Sequence, residues 1–313
     1  MRNACLDMVH RLACRDPRVV YVGSDPGAGT LDAMRAEFPD RVFIEGIAEQ
    51  NVVGLAAGLA LEGFIPYVHT IASFLTRRCY EQVAIDLCQQ NLPVRLIGNG
   101  GGLVYAPLGP THTAPDDLAI TRVLPNMAAV AVADATEMRR FMARTLDWPS
   151  PIYIRLGKGG DPVVTEEDWG FDIGRAVVVR PGRDAVAMTT GTMLSRVLAA
   201  ADSLAAQSIG CGVLHLPTVK PIDAGAVLEM AAGARLVVVA EEHSRIGGLG
   251  AAVLETLADG GILPRVLRLG IADEWSHAYG SQDAVLKDNG LDADGIAAAI
   301  QAALVRPEGL CHG

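Results

Sequence analysis

Glu49 is the residue of this chain best placed to do chemistry. It follows the short apolar run Phe43-Ile44 and opens a segment, Gly54-Leu55-Ala56-Ala57-Gly58-Leu59-Ala60, made almost wholly of small or aliphatic residues. A carboxylate at the mouth of such a helix has two readings. It is either a first-turn acid complementing the helix dipole, or an acid held in an apolar interface, where desolvation raises its pKa and lets it share a proton with a ligand. The second candidate is His112, after Leu108-Gly109-Pro110-Thr111, where glycine and proline fix the backbone beyond a strand tip. Open α/β sheets place their ligands there, although a structural histidine fits the same position. Phe74, Arg77 and Tyr80 recur at helical spacing, with Arg77 and Arg78 interrupting what would otherwise be a core stripe. That pattern suits a partly solvated site or an interface.

Other patterns carry less. Gly98-Asn99-Gly100-Gly101-Gly102 lacks both the dinucleotide glycine order and a Walker lysine, so it reads as a mobile loop. No Gly-x-Ser-x-Gly elbow is present. The glycines of Gly23-Ser24-Asp25-Pro26-Gly27-Ala28-Gly29 are misplaced for a dinucleotide turn. Glu241-Glu242-His243 before Gly247-Gly248-Leu249-Gly250 could bind a metal or an anion, but no second histidine stands at helical spacing and a structural turn is the better reading.

The elements that must position these residues alternate between short β-branched runs and helical patterns, as in parallel sheets covered on both faces. Strands are predicted at 19–22, 42–44, 65–68, 94–97, 129–132 and 152–154, with helices near 48–61, 73–90 and 135–146. A second, smaller set has strands near 185–190, 211–216, 235–240 and 264–269 and helices near 192–207, 223–231, 247–258 and 292–304. The fold class is therefore α/β, two doubly wound domains at 1–160 and 185–313. The Gly-, Pro- and acid-rich stretch 161–184 reads as a linker.

Half of the 313 residues are apolar, enough for two full cores. The 26 basic and 36 acidic residues give a net charge of −10 with no basic stripe, which argues against nucleic acid as a partner. Six cysteines without Cys-x-x-Cys spacing suggest reduced thiols rather than zinc sites or disulfides. With no signal-peptide pattern and no apolar run long enough to span a bilayer, a cytoplasmic, membrane-free protein is expected.

Taken together, the motifs resemble the transketolase family of thiamine diphosphate enzymes over nearly the whole chain, specifically its pyrimidine-binding and C-terminal domains. The resemblance rests on Arg41 to Asn51 and the small-residue helix after it, on Ser73-Phe74-Leu75 with Arg78 and Glu81-Gln82, and on Gly109-Pro110-Thr111-His112. Leu124-Pro125-Asn126, Ala133-Asp134-Ala135-Thr136-Glu137, Lys220-Pro221-Ile222-Asp223 and the Glu241 and Gly247 clusters continue it in order.

The resemblance implies roles by position. Glu49 corresponds to the glutamate that hydrogen-bonds N1′ of the cofactor's aminopyrimidine and favours its imino form. Phe74 corresponds to the aromatic residue stacked on the pyrimidine, Tyr80 to another wall of the pocket, Asp25 to an acid near the cofactor, and His112 to the histidine that faces the substrate hydroxyls. Arg2, Arg155 and Lys158 fall near positions used for sugar phosphates. The family's Gly-Asp-Gly motif, which holds Mg²⁺ and the diphosphate, has no counterpart here. A split enzyme follows: a separate N-terminal transketolase subunit supplies the metal and diphosphate site, and the helix after Glu49 packs on its own copy in a dimer or heterotetramer.

The expected activity is transfer of a two-carbon ketol unit from a ketose phosphate to an aldose or aldehyde. A 1-deoxyxylulose-5-phosphate-synthase-like or 2-oxo acid dehydrogenase-type subunit, using a 2-oxo acid donor, is the alternative. A noncatalytic regulatory or interaction subunit is the alternative of another class. Leu108 and Gly100 stand where typical transketolases have an acid and a histidine, and Arg77 where they often have a second aromatic residue, so donor recognition must differ.

Overall fold

The computed structural model describes residues 1–24, 31–275 and 279–305. The first half builds helix α1 (Arg2–Arg15), strand β1 (Val19–Gly23), α2 (Asp32–Glu37), β2 (Val42–Ile44), α3 (Glu49–Leu61), β3 (Ile65–Ile71), α4 (Tyr80–Gln82), β4 (Arg95–Asn99), α5 (Asp117–Arg122), β5 (Ala128–Ala131), α6 (Ala135–Thr145) and β6 (Ile152–Leu156). The second half builds β7 (Val177–Arg180), β8 (Ala185–Thr189), α7 (Met193–Ala205), β9 (Cys211–His215), β10 (Thr218–Lys220), α8 (Ala224–Ala232), β11 (Val237–Ser244), α9 (Leu249–Asp259), β12 (Val266–Ile271), α10 (Gln282–Asp288) and α11 (Ala293–Val305). Two α/β domains with mainly parallel sheets result, as the alternation of strand and helix patterns predicts.

The larger sheet runs β10-β5-β6-β4-β3-β1-β2, parallel except for β10; the smaller runs β12-β11-β8-β9-β7, parallel except for β7. Strands β1, β4, β6, β8 and β9 are buried along their whole length, which is why they read as unbroken apolar runs rather than alternating ones. Helices α1 and α6 cover one face of the larger sheet, where Leu6, Val9 and Leu12 meet Met138, Phe141 and Met142. The opposite face carries α3 and the helical stretch 74–89, and its core continues without a break into the α8 and α9 side of the second domain.

Three expectations change. The stretch 161–184 is not a plain linker, because β7 lies inside it and pairs antiparallel with β9. Strand β10, from the second half of the sequence, joins the first sheet beside β5. The helix expected at 73–90 is wound mostly as π-helix, Phe74–Arg78 and Val83–Gln89, around the single α-turn of α4. Wide turns of this kind re-aim side chains and occur often at functional sites.

Asp134 shows how the fold closes locally. It caps α6 by accepting from the Thr136 and Glu137 N–H groups, and it also accepts from the Val164 and Thr165 N–H groups and the Thr165 hydroxyl, tying the chain after β6 to the helix start. Burial pushes its carboxyl up, but these donors outweigh it and hold it below the ordinary range. Asp134→Ala is expected to lose at least the ~1–2 kcal/mol of an N-cap, read as a lower denaturant midpoint. A depressed folded-state pKa gives stability that is complete above the unfolded value and lost as pH falls through the folded one. The gap between wild type and variant is therefore expected to close in acid.

Cys5, Cys79, Cys88 and Cys211 are buried free thiols, and burial pushes Cys5 and Cys79 to about 12 and Cys88 and Cys211 to about 11. Cys14 is exposed. Among the described residues no helix is long and apolar enough to cross a membrane.

Candidate active site

The chain passes from β1 to β2 on one side of β1 and returns through β3 on the other, so the larger sheet has its topological switch point between β1 and β3. A crevice outside the carboxyl ends of the strands is expected there. A cavity of about 420 Å³ lies at that place, lined by Ser24 after β1, His69, Thr70 and Ile71 at the end of β3, and Asn99 at the end of β4. Ile47 enters it from just before α3 and Glu49 from its first residue, Phe74 from the π-helical turn, Tyr105 and His112 from the loop after β4, and Arg2 from the start of α1.

Glu49 is 2 % exposed, and its Oε2 accepts from Nη1 of the half-exposed Arg78. The Arg78 guanidinium lies 4.3 Å from the Phe74 ring centroid. The His112 ring meets Phe74 edge-on, with centroids 5.1 Å apart. The imidazole Nδ1 is 2.9 Å from the Thr111 hydroxyl, which leaves Nε2 as the nitrogen available to a ligand. The loop holding His112 is braced on the π-helical turn, where the Ser73 hydroxyl donates to the Thr111 carbonyl and Arg77 Nη2 to the Thr113 carbonyl. Arg77, expected at a second aromatic position, thus fixes the loop.

These groups can hold a flat nitrogen heterocycle: a buried acceptor for a ring N–H, an aromatic wall, and an imidazole beside it. An aminopyrimidine fits this donor set. Glu49 is the one carboxylate among the described cavity residues, so the hard oxygen ligands that Mg²⁺ and a diphosphate require are not assembled by them.

The structure brings Glu49, Phe74, His112 and Arg2 together around the cavity and places Tyr80, Lys158 and Arg155 elsewhere. Tyr80 is half-buried against the core behind α3 and is not a cavity residue. Lys158 is exposed beyond β6 and outside the cavity. Asp25 lies outside the described residues. Arg155 is the clear correction. Rather than facing the cavity it is buried at the seam between the domains, its Nε donating to Asp117 Oδ2 at 2.9 Å and its Nη2 to the Glu242 carbonyl at 2.7 Å. Tyr153 also donates to Asp117, and the Leu103 N–H and Gln282 donate to Glu242.

This seam explains the glycine run. A Cβ on Gly101 would lie 2.4 Å from Arg155, and one on Gly102 2.8 Å from Glu242, so the loop is buried and braced rather than mobile. Glu241 accepts from the Leu249 and Gly250 N–H groups at the start of α9, and His243 Nε2 accepts from the Ala119 N–H. The structural reading of that cluster therefore holds. The sequence reading missed His69, Asn99 and Tyr105. Gly100, at φ +77°, is where a Cβ would lie 2.1 Å from the Tyr105 ring, so this ring fills the space that a larger side chain would take; Asn99 Nδ2 donates to its hydroxyl at 2.7 Å.

Residues 1–160 match the transketolase pyrimidine-binding domain and residues 174–296 the transketolase C-terminal domain. The chain is 35 % identical over 297 residues to one of the subunits of the apulose-4-phosphate transketolase of Phocaeicola vulgatus (strain ATCC 8482), covering 94 % of each. It is 37 % identical to a 1-deoxy-D-xylulose-5-phosphate synthase of Synechococcus sp. (strain JA-2-3B'a(2-13)) over 93 % of this chain but only 45 % of that protein. A solved split-gene transketolase, described as an inactive beta4 tetramer, superposes with a TM-score of 0.87 at 37 % identity and 97 % coverage of both chains.

Proposed function

Because the chain belongs to the transketolase family, we propose that it is the C-terminal subunit of a split, thiamine diphosphate-dependent transketolase-like enzyme. It moves a two-carbon ketol unit from a ketose phosphate donor to an aldose or aldehyde acceptor. The observation that carries this reading is the geometry of the site: buried Glu49 opens on a cavity beside Phe74 and His112.

Thiamine diphosphate, when bound, supplies the nucleophilic carbon that makes cleavage next to a ketone possible. This chain's residues do the rest of their half. Glu49 holds a proton at N1′ of the aminopyrimidine, Phe74 orients that ring, and His112 Nε2 accepts the proton of a substrate hydroxyl and returns it. Arg2, at the cavity rim, offers a guanidinium to the donor's phosphate. Mg²⁺ and the diphosphate belong to a separate N-terminal subunit.

Self-association is supported by the outer face of α3. A Cβ on Gly54 or Gly58 would meet nothing within 4 Å, and Leu61 is 62 % exposed, leaving a flat small-residue strip. We place a second copy there, consistent with the tetramer of the split-gene relative.

Tyr105 takes over donor recognition where Gly100 replaces a histidine, its hydroxyl oriented by Asn99. A site built to hydrogen-bond a substrate hydroxyl discriminates through that bond. Tyr105→Phe is expected to raise the donor KM about tenfold, the equivalent of one hydrogen bond of ~1.4 kcal/mol, with kcat little changed.

A second reading, a 2-oxo acid donor, is kept because the chain matches half of a deoxyxylulose phosphate synthase at 37 % identity. A donor screen on this chain mixed with its N-terminal subunit separates the two. Ketose phosphates are expected to be cleaved to shorter aldose phosphates; release of CO₂ from pyruvate, without ketose cleavage, would establish the second reading instead.

A further inference from the structure

Further along α1 from Arg2, His10, Cys14 and Glu37 are the one group of three metal-capable side chains among the described residues. His10 and Cys14 stand four residues apart on α1 and so share a face one turn apart. Glu37 is the last residue of α2, which packs across that face. His10 Nε2 is 2.9 Å from Glu37 Oε2, Cys14 Sγ is 3.9 Å from both Glu37 oxygens, and the three ligand atoms all lie within 4.8 Å of one another. The His10 ring is set edge-on against Phe38 at 6.2 Å, with Arg41 stacked 3.6 Å from the Phe38 centroid. The imidazole is thus already held in place.

Ligand bonds of about 2.0–2.3 Å in a tetrahedral zinc site put neighbouring ligand atoms about 3.3–3.7 Å apart. The observed separations bracket that range, so small side-chain rotations bring all three onto one ion.

We propose that His10, Cys14 and Glu37 form a surface site for a borderline divalent transition ion of the zinc class, fastening α2 to α1, with the fourth position left to water. The donor set is one thiolate, one imidazole and one carboxylate. It matches zinc or cobalt and not magnesium, which takes oxygen ligands in an octahedron. The site is therefore separate from the catalytic metal and does not depend on the proposed activity. Arg2, at the start of α1, lies about 12–18 Å back along the helix at 1.5 Å per residue.

The test is cobalt spectroscopy on the full-length, tag-free chain stripped of metal by chelator. A Cys311→Ser background keeps a thiol outside the described residues silent. One equivalent of Co²⁺ is expected to give tetrahedral d–d bands and a thiolate-to-cobalt charge-transfer band, both displaced by Zn²⁺. Cys14→Ser is expected to abolish the charge-transfer band. His10→Gln and Glu37→Gln are expected to weaken binding at least about tenfold, since even an outer-shell partner is worth that much. Zn²⁺ should also raise the melting temperature of the unmutated background and not of Cys14→Ser, whose circular dichroism confirms that it folds. Cobalt binding that lacks a thiolate band, or that survives in all three variants, would show His10 and Glu37 to be a plain ion pair and overturn the proposal.

Discussion

Glu49→Gln is expected to abolish nearly all turnover of the reconstituted enzyme, by about 10²–10⁴-fold, the range of a lost acid–base group, while assembly survives. The substitution keeps the shape of the side chain and an oxygen to accept a hydrogen bond, but an amide cannot hold and return a proton at the cofactor's N1′. Removing the charge leaves Arg78 without its carboxylate. That guanidinium is half exposed and lies on the Phe74 ring, so it can turn to water at little cost. Stability and subunit association should therefore stay near wild type, and the loss should fall on kcat. Wild-type-like turnover by the variant would sink the role given to Glu49.

Arg155→Met is expected to produce the largest loss of stability, about 3–5 kcal/mol, as when one partner of a buried ion pair is removed. Burial alone would push the Arg155 guanidinium down, but the Asp117 and Glu242 carboxylates outweigh it and raise it. Methionine fills much of the volume while leaving Asp117 and Glu242 buried together. Burial already pushes the Glu242 carboxyl up, and Arg155 is the first group holding it down.

The sign of the pH dependence follows. A carboxyl whose folded-state pKa lies above its unfolded value costs stability in full at high pH, and the cost fades as pH falls through the folded value. The deficit of Arg155→Met against wild type should accordingly shrink between neutral and mildly acid pH, in denaturant titrations of the two proteins. If the variant were instead as stable as wild type with only a raised KM for phosphorylated donors, Arg155 would be a substrate residue after all.

Much of the fold was legible because buried parallel strands and amphipathic helices leave strong local periodicities. Strands β1, β2 and β6 and helices α3, α6, α7 and α11 fall within two residues of their expected bounds. What escaped was set by long-range partners. Strand β10 is three residues long, and nothing local tells it to cross to the other domain's sheet. Within the site, Glu49, Phe74 and His112 stand out by type against their surroundings.

Arg155 and His69 do not stand out in this way. Both sit at buried strand ends, and whether such a side chain meets the cavity or the domain seam depends on packing that periodicity does not encode. The glycines at 100–102 had the same ambiguity. They are small because Tyr105, Arg155 and Glu242 come from elsewhere to lie against them.

On the proposed function, this chain carries half of a thiamine diphosphate site and works only with the other half. The most direct measurement is ketose phosphate cleavage with thiamine diphosphate and Mg²⁺ by this chain alone, by the N-terminal subunit alone, and by an equimolar mixture. Turnover is expected in the mixture and in neither subunit by itself. Turnover by this chain alone, or a mixture that neither binds the cofactor nor cleaves any ketose, would contradict the account.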